Sequence, residues 1–152
     1  MDWVRLHLLV NHFPIILGLA GALAVVAAAL GRRTTLWHYA GVTVLLAGMT
    51  APVAYVSGTR AEERVESFWY VEEDQIEEHE ELGLIALIVL LVAGATAGLS
   101  LWRPTPTLRA LFTLAALAAA VVTGMTALEG GEIVHDSPAL AERPPAAVAP
   151  PR

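Results

Sequence analysis

Residues 6–31 read LHLLVNHFPIILGLAGALAVVAAALG, an unbroken run without a single charged side chain between Arg5 and Arg32. A helix rises 1.5 Å per residue, so about 20 apolar residues cross the hydrocarbon core of a bilayer. This run is long enough. It is too long for the apolar core of a signal peptide, it contains Asn11, His12 and Pro14, and Arg32 and Arg33 follow it directly. It is therefore read as a retained spanning helix. Three further charge-free runs follow, over 34–59, 82–102 and 110–128. Together they predict an all-α integral membrane four-helix bundle with helices over about 6–30, 35–58, 74–102 and 108–129. The connections at 32–33 and 103–109 are short, which predicts up-down-up-down neighbours.

Composition agrees. Of 152 residues, 56% are hydrophobic and 16% charged, against about 45–50% and about 25% in an ordinary soluble domain. Cysteine is absent. That excludes disulfides, thiolate metal sites, cysteine nucleophiles and covalently attached haem. Every basic residue is Arg, so lysine chemistry is excluded as well. A net charge of −6 without a basic stripe argues against nucleic acid as a partner. The charges also set an orientation. The ends near 31–35 and 103–109 carry Arg32, Arg33, Arg103 and Arg109 with no acid. The opposite ends carry five Arg against all 15 acids. The positive-inside rule predicts both termini outside, N-out/C-out, in a bacterial inner membrane.

Local signals predict the segment ends. Gly58 is placed to stop helix 2, and Thr59-Arg60-Ala61-Glu62 reads as a capping box opening a short surface helix over about 60–68. Ser67, Phe68, Trp69 and Tyr70 suit the headgroup interface. Asp74 with Glu77 is a second N-cap pattern, and Gly130-Gly131 is read as the end of helix 4. The four-helix domain then covers 1–136. The Pro- and Ala-rich tail, 137–152, is expected to be extended and flexible.

Four of the five histidines fall at the outer ends of the predicted helices: His7, His12, His79 and His135. His38, in Trp37-His38-Tyr39, reads as an anchor at the opposite interface. Imidazole is the commonest protein metal ligand, although any one interfacial histidine is more often a solvated polar residue. On a continuous helix His7 and His12 lie about 140° apart and cannot both face one centre. Pro14 permits a distortion, because it cannot donate to the carbonyl of Val10. His7 and Asn11 share a face, which predicts that Asn11 orients His7. His79 lies on the small, apolar stripe Ile76, Leu82, Gly83, Ala86, Leu90, Gly94, Ala97 and should face the bundle. The stripe suits close helix packing or room for a flat cofactor. Segment 62–81 holds ten acids, ordinarily a solvated face. Within it Glu62, Glu63 and Glu80 are near enough to the helix ends to add ligands. Glu132-Ile133-Val134-His135 has the Glu-x-x-His spacing of carboxylate-bridged di-iron bundles, in a single copy past the Gly-Gly pair.

Leu6-His7-Leu8-Leu9-Val10-Asn11-His12-Phe13-Pro14-Ile15 resembles the opening of a family of four-helix bacterial membrane proteins of unassigned activity, marked by a His…His-Phe-Pro start. Pro52–Gly58 with Ala61-Glu62-Glu63, and Ile76–Glu80, resemble its middle. Gly130-Gly131-Glu132-Ile133-Val134-His135 resembles its Gly-Gly…His ending. The resemblance spans 6–136 and matches the family's histidines at His7, His12, His79 and His135, while His38 matches none. Leu8 stands where many relatives have Pro, which puts the start of helix 1 in doubt. Relatives joined to, or encoded beside, Rieske and cytochrome domains imply an electron-transfer setting.

Three functions follow as expectations. The first is a redox protein holding a b-type haem near the periplasmic face, exchanging electrons with quinol or a periplasmic cytochrome. The preferred axial pair is His12 with His79; His7, His135 and Met125 complete the candidates. The second is a non-haem copper, zinc or iron site built from His7, His12, His79, His135, Glu62, Glu63 and Glu80. The third, with no cofactor, is an accessory subunit of a larger membrane complex, packed through glycines and alanines that also suit a homo-oligomer. No nucleophile with a base and an orienting group is visible, so the sequence does not mark an enzyme acting on its own.

Overall fold

The computed structural model describes residues 2–65 and 73–135, and side chains throughout except those of Glu63, Glu73, Val134 and His135. Among the described residues the fold is all-α. A short helix α1 (Trp3–Val10) leads into α2 (His12–Gly31), followed by α3 (Thr34–Val65), α4 (Glu73–Trp102) and α5 (Pro106–His135). Four helices are long and apolar enough to cross a membrane: Trp3–Gly31 (α1 with α2), Thr34–Glu62, Asp74–Trp102 and Pro106–Ile133. Large apolar side chains such as Leu9, Ile16, Leu23, Leu30, Met49 and Leu114 stand exposed along them. In water such a surface would be an aggregation hazard; against lipid it is solvated.

The helix ends follow from local chemistry. Asp2 caps α1 by accepting from the Arg5 amide at 3.4 Å and pairs with the Arg5 guanidinium at 3.2 Å. The interruption at Asn11 falls where Pro14 leaves the Val10 carbonyl without its helical donor. The expected helix over 6–30 is therefore two pieces. Arg32, at φ 51°, turns the chain out of α2 in the left-handed conformation. Thr105 caps α5 by accepting from the Leu108 amide at 3.2 Å, with Pro106 in the first helical position.

Two expected boundaries are corrected. Helix α3 does not stop at Gly58, and no new helix is capped at Thr59; α3 runs on to Val65. The Thr59 hydroxyl donates back to the Val56 carbonyl at 3.2 Å, as it does inside a helix, rather than accepting from an amide of a newly capped helix. Likewise α5 passes through Gly130-Gly131 to His135, beyond the expected end near 129. A capping glycine takes a left-handed φ, and no described glycine has one. Residues 66–68 of the expected surface helix, the aromatic cluster through Tyr70 and the tail 137–152 lie outside the described residues.

The long helices meet through small residues. A Cβ on Gly48 would stand 2.8 Å from the Leu90 carbonyl and 3.2 Å from the Gly94 Cα, so α3 and α4 touch backbone to backbone. Gly21 of α2 faces Val44, and Gly41 of α3 faces Leu101. The core around them is Val25, Ala40, Val44, Ala47, Leu90, Ala93, Ala97, Phe112 and Ala116. On the stripe foreseen for α4, Ile76, Ala86, Leu90 and Ala97 are buried as expected. At mid-bundle its use is close packing. Contacts run in opposite directions along successive helices. His7 meets Gly58 while Gly21 meets Val44; Gly41 meets Leu101 while Gly83 meets Tyr55. Similarly, α4 and α5 meet at His79 and Gly130. That arrangement gathers the start of α1, the end of α3, the start of α4 and the end of α5 at one end.

Candidate functional site

At that end α1 turns onto α3. Arg60 stacks over the Trp3 ring at 5.5 Å, and His7 reaches across to the last turns of α3. His7 Nδ1 lies 3.0 Å from the Ala54 carbonyl and 3.2 Å from Ser57 Oγ. A carbonyl only accepts, so in the neutral ring Nδ1 carries the proton and Nε2 keeps its lone pair. Ser57, 1% exposed, donates to the same carbonyl at 2.8 Å and fixes that acceptor in place. The ring sits against Gly58, where a Cβ would stand 3.0 Å from His7 Cε1. A metal- or haem-ligating histidine commonly holds its second nitrogen this way, with a backbone carbonyl fixing the tautomer and leaving the other nitrogen to bind.

His79, in the second turn of α4, is the counterpart. Its ring sits over Gly130 of α5, where a Cβ would come within 2.9 Å of His79 Cε1. The Thr126 carbonyl lies beside the ring, and the ring is within electrostatic range of His7. Unlike His7, its Nδ1 is buried with no hydrogen-bond partner. Thr126 ties α5 to α4 by donating to the Leu82 carbonyl at 3.3 Å. Two more buried polar atoms without partners lie about one turn away along their own helices: Asn11 Oδ1 beyond His7, and Thr123 Oγ1 before Thr126. Buried polar groups are normally paired, and each unpaired one costs about 1–3 kcal/mol. All three belong to helix segments toward this end of the bundle.

The remaining candidates are placed differently. His12 is exposed and bonds back to α1, with Nδ1 donating to the Leu8 carbonyl at 2.8 Å; the inward histidine of the first span is His7. His12, expected to pair with His79, is thus exposed, whereas His7 is half-buried against α3. Met125 is half exposed on the outer face of α5 and turns away from the pair. Asn11 does not orient His7, whose Nδ1 is taken up by Ala54 and Ser57. Glu62 and Glu80 are half-buried, while Glu132 is exposed. Glu132 and His135 share one continuous helix with no Gly-Gly break between α5 and the motif. The side chains of Glu63 and His135 lie outside the described residues. Among those described, no group of three or more His, Asp or Glu comes together as a metal site. The half-buried imidazoles of His7 and His79 are the candidate donors at this end. Two imidazoles match the axial ligands of a haem iron, whereas a bare ion needs three or four ligands. His38 is exposed at the other end, with Nδ1 donating to the Thr34 carbonyl at 3.0 Å.

The roles of Ser57, Gly58, Thr123 and Gly130 were missed in the sequence. The only available signal was their spacing. Ser57-Gly58 lies one turn from Ala54, and Thr123, Thr126 and Gly130 recur along one side of α5 at helical spacing. No protein-family model, curated protein or solved structure matches the chain.

Proposed function

We propose that the protein is a multi-pass redox component of a bacterial inner membrane, up-down-up-down with both termini periplasmic. In this reading His7 of α1 and His79 of α4 hold a b-type haem at the outer end of the bundle. The observation that carries the proposal is the His7 geometry, with Nδ1 committed to the Ala54 carbonyl and the Nε2 lone pair left to bind, at the same end of the bundle as the half-buried His79. When bound, haem supplies one-electron chemistry; quinol or a periplasmic cytochrome is the exchange partner, within a larger set of membrane redox subunits. The chain's own contribution is to orient the His7 imidazole and to place buried apolar residues, Ala54, Ala61 and Ile76, at the same helix ends. A low-dielectric surround of this kind raises the cost of net charge at the site and so tunes its potential. The partition of arginines and acids between the two ends supports the orientation.

The absorption spectrum of the detergent-purified full chain, made with haem supplied, tests this reading. A reducible Soret band with an α-band is expected. His7→Ala or His79→Ala should abolish it, and His12→Ala should leave it. Stoichiometric copper, zinc or iron without haem absorption would move the assignment to a non-haem site. One observation favours a second reading, an accessory subunit in which the histidines only pack: each ring is seated on a glycine, Gly58 or Gly130. Neither haem nor metal in the purified protein, together with unchanged partner co-purification in His7→Ala, would establish that alternative.

A further inference from the structure

The opposite end of the bundle is built around arginine. Arg32, Arg33, Arg103 and Arg109 share it with no acid in the connecting segments. The Asp2–Arg5 ion pair lies at the other end. Arg109 stands in the first turn of α5, and no acid occupies the first turn of α3 or α5. Both helices point the positive ends of their dipoles here, so cations in those turns have the unfavourable sign until an anion joins them. The Arg109 guanidinium stacks over Trp37 at 5.3 Å, and Arg103 stacks over Trp102 at 4.5 Å. Trp102 is 71% exposed, as befits an aromatic at the headgroup level.

A shallow cleft opens between these residues, where α3, α4 and α5 meet. Trp37, His38, Ser100, Leu101, Arg109 and Phe112 line it. Ser100 is the independent sign of a ligand. It is 8% exposed and lines the cleft. The helical hydroxyls of Thr43, Thr50, Thr96 and Thr113 each donate to a carbonyl one turn back. The Ser100 hydroxyl takes part in no hydrogen bond among the described residues. The cleft thus offers an unpaired guanidinium, a free hydroxyl and an aromatic wall, at the level where the apolar spans end.

We infer that this cleft binds the phosphodiester headgroup of an anionic phospholipid. Arg109 is the counter-charge, Ser100 is a hydrogen-bond partner, and the acyl chains lie along the exposed apolar faces of α3 and α4. Basic pockets between membrane helices recognise anionic headgroups by this chemistry. The inference concerns the end of the bundle away from His7 and His79 and stands independently of any haem.

The test uses the full chain in detergent, titrated with phosphatidylglycerol, phosphatidylcholine or inorganic phosphate, and follows Tm together with lipid retained in native mass spectrometry. Phosphatidylglycerol should raise Tm and remain bound as one retained molecule, while phosphatidylcholine and inorganic phosphate should do neither. Arg109→Gln should weaken phosphatidylglycerol binding at least tenfold, and Ser100→Ala, which removes little packing, severalfold. Arg33→Gln, which removes the same charge outside the cleft, should change it less than twofold. Equal response to the two lipids, equal loss in Arg33→Gln and Arg109→Gln, or a matching response to inorganic phosphate would each overturn the assignment. If Arg109→Gln fails to fold, Ser100→Ala and Arg109→Lys carry the comparison, and unchanged binding in Ser100→Ala would count against the site.

Discussion

At mid-bundle Gly48 and Gly94 bring two backbones together, whereas at the histidine end Gly58 and Gly130 each receive an imidazole ring. The residue type is the same and the neighbour differs. Where glycine meets backbone, nothing can yield, and every polar group nearby is satisfied within its own helix: Thr50 and Thr96 donate to carbonyls one turn back. Where glycine meets a side chain, the fit is adjustable, and buried polar atoms on Asn11, His79 and Thr123 are left without partners. The middle is optimised for stability and the end is not. Local departures from packing rules of this kind are expected at functional sites.

Substitutions can break or sharpen that contrast. The largest loss is expected from Gly48→Ala, whose Cβ would stand 2.8 Å from the Leu90 carbonyl. Overpacking of a tight contact costs about 1–3 kcal/mol, read as a fall in the unfolding midpoint in detergent. Next is Thr123→Val. It removes a buried hydroxyl without a partner and should stabilise by about 1 kcal/mol; a loss of stability in the cofactor-free protein would show that the hydroxyl is satisfied after all. Gly130→Ala should cost about 0.5–1.5 kcal/mol, the price of pushing one ring off its rotamer. It should also disturb any haem spectrum, which Gly48→Ala should affect only through unfolding. Gly124→Ala is the smallest. No atom lies within 4 Å of a Cβ there, so the helical preference for alanine should leave stability unchanged or raise it by up to about 1 kcal/mol. A midpoint drop as large as that of Gly48→Ala would mean that α5 packs there against something outside this chain.

The four long helices were legible because the bilayer imposes a length that the gaps between charges record directly. The inward stripe on α4 was legible for a similar reason, since helical periodicity fixes which of its residues share a face. The helix ends at Gly58 and Gly130 were misread because glycine has two uses with the same spelling. As a cap it needs a left-handed φ, and as a gap it needs a neighbour, and only the fold supplies the neighbour. Which histidine of the first span packs inward was not legible for a related reason. His7 and His12 are separated by 140° in an ideal helix, so the pattern shows that they differ without showing which one faces in.

Sequence by itself determined an all-α chain with four membrane-length apolar helices, and it concentrated arginine without acid at one set of helix ends. These follow from composition and from distances along the chain, which need no partner. Tertiary structure decided that His7 packs onto α3 while His12 stays exposed, that Ala54 and Ser57 fix the His7 proton, and that Arg109, Trp37 and Ser100 border one cleft. Each of these depends on how a helix rotates about its own axis against its neighbours. That rotation is set by the sum of many small contacts, such as Gly48 on Gly94 and His79 on Gly130, between residues far apart in the chain.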